Sequence, residues 1–469
     1  MFSEKSAIAA NRFGLGARPG DAMEIGHDAA GWLRAQLEDA AATVPKPARR
    51  PASAATLEEV TELRIARQQL QRLRAQSDQP LEIDRDMLRE YAQFIGSQYR
   101  VQASQRCIDA IESDRPFVER LVHFWANHFA VSVEKQPLGA IAVQYEDEAI
   151  RPHVAGNFFE LLKAVEQHPA MLLYLDNQRS IGPNSLAARA AQRRRGRSLG
   201  LNENLAREIL ELHTLGVDGG YDQNDVTEFA RMLTGWSIGG TDGPLAGGEP
   251  GEFVFRGLMH EPGDKTLLGR RYRESGIDEG EAALRMLATQ PATARHLATK
   301  LARHFVADVP PPALVERLAD VYLRADGELM PVYAALIEAD ESWQTPLAKY
   351  KTPEDLVIST YRALDRIPDR PQQLIAILTQ LGQRPLTPGS PAGWPDNAAH
   401  WDGGEALLKR IEWVGAVGRN VGDRIDPAEL GQAILGPVAS DATLTAVRRA
   451  ESGAQGIGLL LASPEFQRR

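Results

Sequence analysis

Between Asn202 and Trp236 the sequence NENLAREILELHTLGVDGGYDQNDVTEFARMLTGW permits little besides two amphipathic helices joined by a Gly-Gly-Tyr turn. At about 100° per residue, Leu205, Ala206, Ile209, Leu210 and Leu212 gather on one face of the first helix. Asn204, Arg207, Glu208 and Glu211 gather on the other, and His213 falls within the apolar face. Arg207 stands four residues from both Glu203 and Glu211, a spacing at which opposite charges pair, and Gly216 supplies the stop. The second helix is expected to open on Asp225-Val226-Thr227-Glu228 as a capping box. Val226, Phe229, Ala230, Leu233 and Trp236 then form its apolar stripe, with Glu228 and Arg231 paired on the far side.

The same helical period recurs along most of the 469 residues. The chain is therefore read as mainly α, a multi-helical body with a small β-hairpin excursion near 253–272. Its expected organisation is an N-terminal helical segment and Pro/Ala-rich linker (1–56) and a charged helical arm (57–115) broken near Ser77 to Pro80. A helical core carrying a Gly-rich loop and the hairpin (116–345) and a C-terminal helical region (346–469) follow. The hairpin is read from FVF at 253–255 and TLLGRRY at 266–272, with His260 to Asp264 as the connection. Gln178 to Leu201, with Arg193-Arg194-Arg195-Gly196-Arg197, is read as a long polar loop.

Composition removes several function classes. A hydrophobic fraction of 43% and a charged fraction of 25% belong to a globular protein. A net charge of −10 argues against nucleic acid as the main partner. No stretch of about 18 apolar residues is present, so no membrane span is expected. The N-terminus lacks the basic start and apolar run of a signal peptide, which makes the cytoplasm the default compartment. A single cysteine, Cys107, cannot form an internal disulfide. The glycine-rich run 238–252 and Gly263-Asp264-Lys265-Thr266 lack the setting of a phosphate loop.

Ionisable residues line up on several helices. In FVERLVHFWANHFA, from Phe117 to Ala130, Glu119, His123 and Asn127 repeat every four residues beside an apolar face, and His128 lies on the edge of that face. Glu-x-x-x-His on one helix can supply two metal ligands. In TARHLATKLARHFV, from Thr293 to Val306, His296, Lys300 and His304 stack in the same way. A protonated lysine between two histidines offers donors and no lone pair, which suits a carboxylate or a phosphoryl or sulfuryl oxygen better than a metal. The Pro- and Gly-rich loop Leu381 to Trp401 carries two tryptophans and a histidine that either line a cleft or pin the loop.

Two functional readings stand side by side. In the first, an enzyme or ligand-binding protein builds its site between core helices. Glu119, His123, Glu208 and Glu211 are then acid/base groups or metal ligands, and Arg231, Lys300 and His304 hold an anionic group. The cofactor class is a divalent transition metal, with a haem held by a histidine as a looser variant. In the second, the chain is a non-catalytic scaffold or accessory protein, and the same charges are satisfied between helices.

The chain also resembles a known family over nearly its whole length. NRFGLGARPGD, HFWANHFAVS, GNFFELLKAVEQHPAMLLYLDN, NENLAREILELHTLGVDGGY, DVTEFARMLTGW, HEPGDKTLLG, KLARHFV, LGQRP and GWPDN are similar to stretches of the bacterial domain-of-unknown-function family 1800. Two departures stand out: the run before the Asn202 helix is longer and more basic than the family pattern, and Glu261 replaces an expected Asp. The resemblance implies no activity. It implies a partner or shared pathway with a sulfatase- or phosphatase-like protein from a neighbouring gene.

Overall fold

The helical period is realised almost throughout. The computed structural model describes residues 3–42, 50–74, 83–195, 200–240 and 247–469, and these hold 22 α-helices and two antiparallel pairs of short strands. The Pro/Ala-rich linker, the expected break at Ser77 to Pro80 and the end of the basic run fall largely or wholly outside the described residues. Among the described residues, nearly all buried apolar side chains form one main core that runs from Ala7 to Phe466, with a small separate cluster of Ile181, Ala188 and Met259.

Aromatic packing at the centre fixes the two helices that matter most. Phe13, from the N-terminal segment, meets Phe117 edge-on with ring centroids 5.6 Å apart and stacks on Phe305 at 5.7 Å. Phe117 and Phe305 touch at 5.9 Å. These rings tie helix Pro116–His128 to helix Pro291–Phe305, and each contact adds about 0.5–1.5 kcal/mol beyond its burial. Trp125 donates its indole N–H to the Tyr333 hydroxyl at 2.7 Å, and that hydroxyl donates to the Val154 carbonyl at 2.9 Å. The charged segment 57–115 is mostly the helices Ser53–Arg74 and Ile83–Glu112; the end of the second enters the core through Cys107, Ile108 and Ile111.

The structure differs from the sequence expectation in four local details. The capping box of helix Gln223–Met232 is formed one turn earlier than expected, by Asp222 and Asp225. Asp225 is thereby the closing residue of the box and not its opening one. Trp236 leaves the helix, after Gly235 at φ +86°, and starts strand β1, Trp236–Ile238. Strand β2, Phe253–Phe255, pairs with β1 and not with the 266–272 segment. That segment closes on itself, as β3 Lys265–Leu267 against β4 Arg270–Tyr272. Leu268 and Gly269 both have positive φ, the backbone of a two-residue hairpin turn. Leu-Gly is not the usual sequence for that turn, so the pairing carries no clear signal in the sequence. The polar loop at 178–201 also contains a helix, Leu186–Arg195.

The C-terminal region returns to the centre. Residues 349 and 469 exchange backbone hydrogen bonds of 3.1 and 2.8 Å, which places the Arg469 side chain, fully buried, beneath Asp355 and Asp396. Among the described residues, no helix is long and apolar enough to cross a membrane.

Candidate functional site

Helix Pro116–His128 begins with proline at its first turn and buries nearly all of its length. Its polar line is therefore largely enclosed by the rest of the protein. Glu119 accepts two hydrogen bonds from the Arg151 guanidinium, at 2.6 and 2.8 Å. Burial pushes the Glu119 carboxyl up, but Arg151 outweighs it and holds the pKa down at about 2. His123 Nε2 lies 3.7 Å from Glu119 and has no hydrogen-bond partner. Burial brings the His123 imidazole down to about 4, so it is neutral at pH 7. Asn127, one turn further, clamps the backbone of Trp394 with its amide: its Oδ1 accepts from Trp394 N–H at 2.7 Å and its Nδ2 donates to Trp394 C=O at 2.9 Å.

Helix Pro291–Phe305 supplies the second line. His304 Nδ1 contacts Asp396 Oδ2 at 2.6 Å, and His304 Nε2 is buried without a partner. A carboxylate at Nδ1 makes that nitrogen the N–H, so the lone pair sits on Nε2. Burial lowers the His304 pKa to about 4 against the pull of Asp396. Asp396 is itself held well below the carboxylate range: burial raises it, but His304, Lys349 and Arg469 outweigh that. His296 donates through Nε2 to the Leu212 carbonyl at 3.0 Å.

The C-terminal region completes the enclosure. Thr352 and Asp355 form the capping box of helix Pro353–Ala363. Asp355 also binds Arg120 at 3.0 Å and Arg469 at 3.0 Å, and these cations hold it ionised against burial. Arg106 bridges Glu354 and Glu146, the latter at 2.6 Å. The result is a small cavity of about 90 Å³ lined by charged groups, with His123 and His304 in its wall. A second, open groove of about 670 Å³ shares the segment Trp394-Pro395-Asp396 with this cavity. Asn127, His304 and these three residues face both spaces.

Of the residues expected at a site, the structure gathers His123, Lys300 and His304 around these two spaces, while Glu119 stands behind His123 at 3.7 Å and lines neither. Glu208, Glu211 and Arg231 line neither. Glu211 lies 3.4 Å from Arg207, Arg231 pairs with Glu228, and Glu208 is half-buried with its pKa raised by burial. Both oxygens of Glu119, expected as a metal ligand, are engaged by Arg151. Among the described residues, no group of three or more His, Cys, Asp or Glu side chains is placed to hold a metal ion. His213 and His128 are core residues: His213 Nδ1 meets buried Glu166 at 2.7 Å, and His128 Nε2 donates to the His213 carbonyl at 3.1 Å. Of the loop tryptophans, Trp394 lines the spaces, whereas Trp401 donates to Pro395 C=O at 2.8 Å within the loop itself.

Sequence reasoning missed Asp396, Asp355, Arg120 and Arg469. A signal existed for Asp355, because Thr352-Pro-Glu-Asp355 is a legible helix start. Asp396 sits in the GWPDN stretch, where no periodic pattern marks it. Three stretches that carried the family resemblance, HFWANHFAVS, KLARHFV and GWPDN, converge on the wall shared by cavity and groove. The family model described as a protein of unknown function (DUF1800) matches residues 8–468. The chain belongs to the DUF1800 family. No curated protein and no solved structure matches it. In this DUF1800 chain, the chemistry therefore has to be argued from the site itself.

Proposed function

We propose that the protein is an enzyme of acid–base type, in which His304 accepts a proton from a substrate or from a water beside it. The observation that carries this reading is the His304–Asp396 pair. One imidazole nitrogen is committed to a buried carboxylate, and the other is left with an unshared lone pair in the wall of a polar cavity. Asp396 orients the ring, fixes the tautomer and stabilises the imidazolium once the proton arrives. A neutral imidazole at pH 7 is the form able to accept it. His123, neutral and unpartnered at Nε2 in the same cavity, is a second proton acceptor or, after protonation, a donor to a leaving group. Arg106 and Arg120 pair with Glu354, Glu146 and Asp355 around the cavity and do not touch the reacting atoms in this scheme.

The test works without a named substrate. A bacterial small-molecule extract is incubated with the wild type, His304→Gln or Asp396→Asn and followed by mass spectrometry. At least one component should be converted by the wild type and slowed by about 100-fold or more in His304→Gln, the size expected when a general base is lost. Melting temperatures confirm that the variants are folded. Extracts left identical by wild type and variants would overturn the reading.

A further inference from the structure

The groove beside Trp394 contains positive charge that no ion pair among the described residues engages. Lys300 faces it from helix Pro291–Phe305, and no hydrogen bond or ion pair engages its ammonium among the described residues. Arg303, three residues on, lines the same groove, and among the described residues its guanidinium makes a single hydrogen bond, from Nε to the Asp308 carbonyl at 3.3 Å. Burial lowers the proton affinity of Lys300 to a pKa of about 8; the Asp396 carboxylate opposes that shift and the nearby Arg303 adds to it. Like charges one turn apart destabilise a helix, and the carboxylate that offsets this at Lys300, Asp396, is shared with three other side chains. Two carboxylates face the same space. Asp396 is already bound by His304, Lys349 and Arg469, and Asp218 lies exposed on the turn at the rim. A volume of about 670 Å³ lies within the range of small-molecule sites, roughly 300–1,000 Å³.

We infer that the groove binds its substrate through a dianionic phosphoryl group held by Lys300 and Arg303, with the remainder of the molecule laid along Trp394 toward His304. Two cations without an ion pair match two negative charges, whereas one carboxylate would leave half of the repulsion in place. Lysine acts here as a point charge with three donors, which suits a tetrahedral oxyanion approached from one side. The phosphoryl group is the anchor and not the reacting centre. This inference rests on the acid–base reading for the direction of the bound molecule, but its anchor is testable alone.

Wild type, Lys300→Met and His304→Gln are titrated with inorganic phosphate, sulfate and acetate at constant ionic strength. Tryptophan fluorescence reports binding, and Trp394→Phe identifies the signal. Methionine keeps most of the length of the lysine side chain and spares the fold. Phosphate and sulfate should bind the wild type and His304→Gln alike and bind Lys300→Met at least about tenfold more weakly, the loss expected for one charge-assisted contact. Acetate should bind the wild type about tenfold more weakly than sulfate, for the same lost contact. No saturable binding to wild type, or equal affinity in Lys300→Met, would overturn the site, and acetate binding as tightly as sulfate would overturn the dianion. Intact binding without any turnover in the extract experiment would sink the acid–base reading alone.

Discussion

Burial has left His123, His296 and His304 neutral, each with a pKa near 4 instead of 6.5. Below about 6.5 the unfolded chain takes up protons that the native state refuses. The stabilisation is therefore complete above pH 6.5 and is lost progressively as the pH falls toward 4. Each histidine contributes roughly 1 kcal/mol per pH unit across that window. Urea unfolding at pH 7 and pH 5 should show a fall of several kcal/mol, with His296→Gln removing about a third of the slope; a flat profile would contradict the burial of these rings. Glu119 belongs to the same scale. Its line with His123 is legible from spacing alone, but its partner Arg151, on another segment, is not. That partner decides its role, turning an expected metal ligand into one half of a buried pair. Arg151→Met should destabilise by about 3–5 kcal/mol in the same measurement, because an unpaired carboxylate remains in the interior.

At the scale of elements, the helical stripes are readable in the sequence and the strand pairings are not. A stripe is local: Phe117, Val118, Leu121, Val122 and Trp125 declare one face of one helix. A pairing such as Trp236 with Phe255 depends on where the chain turns, and here the turns use Gly235 and Leu268-Gly269. The cap of helix Gln223–Met232 makes the same point over three residues. Asp222→Ala should lower stability by about 0.5–2 kcal/mol, the usual size for an N-cap, read as a shift in the urea midpoint. The Asn127 clamp on Trp394 joins an element to a loop. Removing it in Asn127→Ala leaves a backbone N–H and C=O unpaired, at a cost of about 1–3 kcal/mol. Trp394 emission should move to the red as the loop loosens; unchanged emission would mean that the contacts of Asp396 with His304, Lys349 and Arg469 hold it without the clamp.

Over the whole molecule, the fold class follows from the repeated 3.6-residue period, whereas the site cannot follow from it. His304 and Asp396 stand 92 residues apart in sequence, and nothing local to either announces the other. The same long reach ties Phe13 to Phe305 and the backbone of Arg469 to Lys349. Because the main apolar core runs from Ala7 to Phe466, calorimetry should record a single main unfolding transition; two well-separated transitions would show that the core divides. Trp394, Pro395 and Asp396, with His304, belong to the lining of two adjoining chambers, the cavity and the groove. Occupancy of one chamber and proton affinity in the other are then linked thermodynamically, and the linkage is reciprocal. Whatever factor a groove occupant applies to the basicity of His304, protonation of His304 must apply to the affinity of that occupant.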